Sequence, residues 1–186
     1  IEAASNVIVL TDKSLSYTGS EFNLGTNLLT ISGGGTFSNT QNITLDNPES
    51  SLNLNGISEV KKVSVSAEHT SGKLEVTENS IIETLSLSGE AYVDVKNEKI
   101  LTLTNEFEIP NGKSIELDGS GGGKLFLTDK LKVSGTLKTS ASNYTIESGT
   151  LALNGGILEI AEDVIISSSF VNEDSSEIKV TAGKKL

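Results

Sequence analysis

Cysteine, methionine, tryptophan and arginine are all absent from this chain of 186 residues, and histidine occurs once. Without cysteine there are no disulfides and no thiolate metal sites, so stability must come from backbone ladders and aliphatic layers. Without methionine there is no initiator, and the expectation is a processed mature chain or an excised fragment, with any signal peptide outside it. With no arginine and a formal net charge of −11, the surface is a poor fit to phosphate backbones and anionic headgroups. Nucleic acid is therefore not an expected partner. No stretch of about 18 apolar residues occurs, so no membrane-inserted helix is expected in this segment. Five Phe and three Tyr are the only aromatics, which suits a narrow interior filled with Val, Ile and Leu.

What is present is a period. Apolar-x-apolar couplets recur about every seven residues, and every third one falls into a longer repeat of about 22. One series runs Val7/Val9, Leu29/Ile31, Leu52/Leu54, Leu74/Val76, Val93/Val95, Ile115/Leu117, Leu137, Leu158/Ile160 and Ile178/Val180. A second includes Phe22/Leu24, Leu85/Leu87, Phe107/Ile109 and Leu151/Leu153. A third includes Leu15/Tyr17, Ile81/Ile82, Leu101/Leu103, Leu125/Leu127 and Tyr144/Ile146. A fixed period of this size marks a solenoid, whose coils bury their apolar face only by stacking on neighbours. The pattern predicts an all-β, three-faced parallel β-solenoid of about eight to nine coils, forming a single domain over residues 1–186. Stacked about 4.8 Å apart, these coils would make a column about 40 Å tall. Leu54, Val76, Val95, Leu117 and Ile160 are predicted to share one interior column.

Corners are rich in Gly, Asn, Ser and Asp, which tolerate left-handed backbone or cap their own turns. Examples are Asn111-Gly112, Ser134-Gly135 and Asn154-Gly155-Gly156. The competing antiparallel sandwich has longer strands and no threefold period. Residues 78–87 come nearest to helical spacing, but the register of the repeat assigns them to strand and corner. Neither end reads as a cap, so another coil is expected to meet each end, either in a longer solenoid or in another copy.

Candidate chemistry is sparse. Gly119-Ser120-Gly121-Gly122-Gly123-Lys124 lacks the spacing, the following Ser or Thr, and the helix of a phosphate-binding loop, so it reads as an enlarged corner. His69 stands alone in a second long corner. Residues 66–73, 118–124 and 167–176 are the corners long enough to reach outward, and His69, Gly121, Gly122, Lys124, Asn172 and Asp174 are their candidate ligand-binding residues. Acids crowd one corner at Glu159, Glu162 and Asp163, a weak candidate for metal; no calcium-loop pattern accompanies them. Most carboxylates fall at outward strand positions, as surface residues do. Asn42-Ile43-Thr44 and Asn143-Tyr144-Thr145 match the glycosylation acceptor pattern, a match expected by chance in so Asn- and Thr-rich a chain. No cofactor is expected, and no enzyme, since one histidine and no acid pair in a loop-walled cleft leave little catalytic machinery.

Repeats such as the one from Gly149 to Ile160 resemble the right-handed parallel β-helix of bacterial surface proteins, especially autotransporter passengers and filamentous adhesins. The resemblance rests on period, corner composition, acidic charge and the absence of cysteine. It implies an extracellular, cell-surface setting and an adhesive stalk binding host or matrix glycan or protein; no functional residue transfers. The alternative is a passive subunit of a surface filament, sheath or surface layer, stacking end to end with copies of itself. Polysaccharide-processing β-helix enzymes fit less well, because they rely on basic residues beside acidic ones within long-loop clefts.

Overall fold

The computed structural model describes residues 3–10, 13–17, 21–32, 36–39, 42–45, 51–55, 58–65, 74–87, 90–96, 98–119, 121–173 and 175–186. These residues form strands, turns and extended corners and no helix, so none is long and apolar enough to cross a membrane. The first turn of chain holds β1 (Val7–Val9), β2 (Ser14–Tyr17) and β3 (Glu21–Asn23). The second holds β4 (Leu28–Ser32), β5 (Thr36–Asn39) and β6 (Asn42–Leu45). Then come β7 (Ser51–Asn55) with β8 (Ser58–Val65), and β9 (Leu74–Val76) with β10 (Ser80–Leu87). Three-stranded turns resume with β11 (Glu90–Val95), β12 (Ile100–Leu103) and β13 (Phe107–Ile109), then β14 (Ser114–Asp118), β15 (Lys124–Leu127) and β16 (Lys130–Val133). The next two are β17 (Thr136–Thr139), β18 (Tyr144–Glu147) and β19 (Thr150–Leu153), and β20 (Ile157–Ile160), β21 (Val164–Ile166) and β22 (Ser169–Asn172). Last is β23 (Glu177–Val180).

Every ladder is parallel, and the chain is a β-solenoid. One sheet has nine strands in the order β1-β4-β7-β9-β11-β14-β17-β20-β23. A second has eight, β21-β18-β15-β12-β10-β8-β6-β3; the remaining strands form a four-stranded sheet, β13-β16-β19-β22, and the pair β2-β5. The expected eight to nine three-stranded coils are not what the described residues form: among them, six turns have three strands and two have two. In those two, β8 and β10 run straight through the place where a corner was expected. Ser58–Val60 pairs with Ser80–Ile82 and Lys62–Val65 with Thr84–Leu87, with Lys61 and Glu83 at the joint between the two halves of the register. The cause is local. Residues 58–65 and 80–87 contain no Gly, Asn, Asp or Pro to break the strand.

Alternation turns one set of side chains inward. The main interior column of the nine-stranded sheet is Val7, Leu29, Leu52, Leu74, Val93, Leu117, Thr139, Ile160 and Val180. Beside it Val9, Ile31, Leu54, Val76 and Val95 are in register, and that column stops at Val95. A new one begins on the other side with Ala91, Ile115, Leu137, Leu158 and Ile178. Leu117 and Ile160 thus lie in the column next to that of Leu54, Val76 and Val95, not in it. The six-residue β11 explains the change: β9 pairs with its last three residues, β14 with its first five. Fully burying each Leu or Ile in these layers contributes about 1.5–3 kcal/mol. A void of about 10 Å³ lies among Leu85, Val93, Leu101, Phe107, Ile115 and Leu131. It is at the lower limit for one water and its lining is apolar, so this void holds none.

Candidate functional site

The glycine-rich corner after β14 does not protrude. Gly119, Gly122 and Gly123 are buried, and only Gly121 is exposed. A Cβ on Gly119 would lie 2.0 Å from the Val95 carbonyl oxygen, and one on Gly123 2.1 Å from that same atom. Only hydrogen fits at these two positions, so the glycines are there for close backbone approach. The Gly119 N–H donates to Asp118 Oδ1 at 2.7 Å, which closes the turn. Next to it, Tyr144 fills the space that side chains on the corner would have taken: its Cε2 would be 2.9 Å from a Gly123 Cβ. The ring is fully buried and its hydroxyl meets no hydrogen-bond partner. Burial pushes the Tyr144 phenol well above its ordinary range, with the charges of Asp94 and Asp118 adding to the effect. Tyr92 is raised as well, by burial first and then by donating its hydroxyl to Asp118.

The other sequence candidates lie apart. Lys124 opens β15 and its side chain is half-buried, while Asn172 ends β22 and is exposed. His69 and Asp174 lie outside the described residues. Glu159, Glu162 and Asp163 do not converge. Glu159 sits on the outer face between Lys138 and Lys179 in register, Glu162 accepts from Lys184 Nζ at 2.5 Å and from Ser142 Oγ at 3.1 Å, and Asp163 Oδ1 accepts the Lys185 N–H at 3.0 Å. Lys184 and Ser142 hold the Glu162 carboxyl below its usual range. Among the described residues no group of three or more His, Cys, Asp or Glu is placed to hold a metal ion.

The outer faces differ in kind. On the nine-stranded sheet, charges stack in register: Glu116, Lys138, Glu159 and Lys179 in one column, Glu75, Asp94 and Asp118 in the next. Lys138 pairs with Glu116 at 3.3 Å, and Lys96 with Asp94 at 3.1 Å and Glu75 at 3.8 Å. On the four-stranded sheet Lys132 pairs with Glu108 at 3.3 Å. The eight-stranded sheet instead presents Ile81, Ile100, Thr102, Phe126 and Thr145 beside Lys124. The sequence reading assigned Ile81 to the core; Ile82 is buried and Ile81 is 39 % exposed. A signal was available, since Ile81-Ile82 and Leu125-Phe126-Leu127 carry an apolar residue at the position that alternation reserves for a polar one. The chain matches no protein-family model, no curated protein and no solved structure.

Proposed function

We propose that this chain is an extracellular, surface-displayed stalk that adheres to host or matrix glycan or protein. The observation that carries the reading is the unbroken nine-stranded parallel ladder beside an aliphatic interior, a shape suited to holding a surface at a distance. The surface setting rests on the resemblance to autotransporter passengers and filamentous adhesins. In this reading the winding is right-handed, as parallel crossovers overwhelmingly are, and three-faced, with β8 and β10 each serving two faces. It is also non-catalytic: the acids at Glu116, Glu108 and Glu162 are taken up by lysines. Beads coated with the purified chain are expected to adhere to immobilised matrix glycans or proteins, and solution scattering to give a rod about 40 Å long. A compact particle, or beads that adhere to nothing in such a panel, would refute the stalk.

A second reading, the passive filament subunit, is favoured by the exposed apolar edge formed by Phe170, Val171, Ile178 and Val180. Unpaired parallel strands of this kind template another coil. Sedimentation should then show end-to-end growth that a proline at Lys179 abolishes by removing a ladder donor. Strictly monomeric behaviour at high concentration would refute it.

A further inference from the structure

The upper ladder of the eight-stranded sheet, β10-β12-β15-β18-β21, turns two columns of side chains to solvent. One is Ile81, Thr102, Phe126 and Glu147, the other Ile100, Lys124, Thr145 and Ile165. Each member of β12, β15 and β18 in these columns sits beside buried residues such as Leu101, Leu125 and Ile146, which fixes its outward direction. The five strands span about 20 Å along the column. In a chain of net charge −11 this face carries one lysine and one glutamate among its eight residues, whereas two columns of the nine-stranded sheet, Glu116-Lys138-Glu159-Lys179 and Glu75-Asp94-Asp118, are charged throughout. Charge steering thus favours an uncharged partner here and acidic or basic ones elsewhere.

We propose that this face binds a neutral polysaccharide, with Phe126 as the stacking platform and Thr102, Thr145 and Lys124 as hydrogen-bonding groups around it. Within the described chain Phe126 meets no other ring, the Thr102 and Thr145 hydroxyls meet no partner, and Lys124 forms no ion pair. All four are therefore available to a ligand. Sugar rings present flat C–H faces edged by hydroxyls, and the face offers the counterpart: an aromatic and isoleucines between hydroxyl and ammonium donors. A protein partner fits less well. Strand addition needs an open edge, and β12, β15 and β18, which carry Thr102, Phe126 and Thr145, are paired on both sides; the apolar area is a few separated side chains, not a large contiguous patch. The inference rests on the stalk reading and names the ligand class and the surface that would carry the adhesion.

The test is a titration of the whole chain with cellohexaose and xylohexaose as neutral probes and an oligogalacturonate as the anionic one. Calorimetry gives affinity, and amide chemical shifts locate the contact. At least one neutral hexasaccharide is expected to bind, shifting residues of β12, β15 and β18, while the anionic probe binds more weakly. Phe126→Ala should weaken binding about tenfold, the loss of one aromatic contact. Thr145→Glu, at a solvent-facing position that does not touch the core, should do the same by setting a charge on the face. Circular dichroism of both variants checks that the coil is intact, and shift mapping on the unaltered chain locates the contact even if one variant fails to fold. No binding of either neutral probe, shifts confined to another face, or affinity unchanged in both folded variants would each overturn the proposal. Bead adhesion that survives both substitutions would leave the stalk standing and remove this face from it. Failure to form a rod would count against the stalk alone.

Discussion

Replacing Thr139 by valine should make this protein more stable, although the substitution removes a polar group and adds nothing at the surface. Thr139 occupies an inward position of β17, between Leu117 and Ile160 in the main interior column, and is completely buried. Its Oγ1 has no hydrogen-bond partner. A hydroxyl moved from water to such a site costs roughly 1–3 kcal/mol in mutational series. Valine keeps the branched shape and the strand preference and puts a methyl among aliphatic neighbours, worth up to about 0.8 kcal/mol. A net gain of about 1–4 kcal/mol follows, which for a domain of this size is a rise in Tm of at least about 2 °C and up to about 16 °C. Thermal melts and urea titrations followed by circular dichroism would measure it, with the urea midpoint rising at unchanged slope. Two controls sharpen the test. Thr139→Ala, which removes the same hydroxyl and opens a cavity, should melt below Thr139→Val, and Thr136→Val, on the half-exposed side of the same strand, should stay within about 0.5 kcal/mol of the parent. A Tm of Thr139→Val at or below that of the parent would refute the reasoning, because the hydroxyl would then have a partner or the layer no tolerance for a methyl.

Gly123→Ala should cost about 3 kcal/mol, a Tm drop of about 6–12 °C, since its Cβ would sit 2.1 Å from a backbone oxygen; Gly112→Ala, strained in φ but in open space, should cost only about 1 kcal/mol in the same melts. For the same reason, removing residues 121–123 should prevent native melting. Tyr92 and Tyr144 should stay un-ionised when absorbance near 295 nm is followed to about pH 11. Because their folded values are raised, the unfolded chain loses protons first, so stability falls as pH rises above about 10, and Tyr144→Phe should reduce that fall. Phenolate absorbance from all three tyrosines below the unfolding pH would contradict this. The Glu108 carboxyl is lowered by the Ser134 hydroxyl and then by Lys132, so its contribution is present above the ordinary carboxylate value and lost as pH falls through the folded one. Glu108→Gln should therefore melt with less acid sensitivity than the parent as pH falls through and below the ordinary carboxylate range.

The repeat near 22 residues was enough to read a parallel solenoid, because only stacked coils return the same apolar couplet at that spacing. The period measures the length of chain in a turn and is blind to how that length is divided, which is why the corner-free β8 and β10 were read as couplets with a turn between them. Register was legible while couplets matched, up to Val95. It failed at the next turn because Glu90–Val95 offers three inward positions, Ala91, Val93 and Val95, and β14 takes the first two. The glycines at 119–123 were read for their backbone freedom as a floppy loop. Their use is the missing Cβ, which becomes visible only once Val95 and Tyr144 are in place. The candidate face is hidden by the same habit: Ile81 is grouped with Ile82 in an apolar couplet, although parity along the strand places one of the two outside.

The glycine corners also decide how a chain of this kind can lengthen or shorten in descent. Gly135 and Gly156 occupy equivalent places on successive turns, each pressed against carbonyl oxygens of the turn before it. A gene segment encoding one such turn could be copied beside itself, and the duplicate would find the same hollow waiting for it. Between β11 and β14 the match is different: Val95 accepts only a turn that carries Gly119 and Gly123, with Tyr144 behind them. Loss of that one turn would set Ser140 to Asn143, with the side chain of Ala141, against Val95. Tandem copying is thus open to the turns after β14, while the junction at Val95 must be inherited whole.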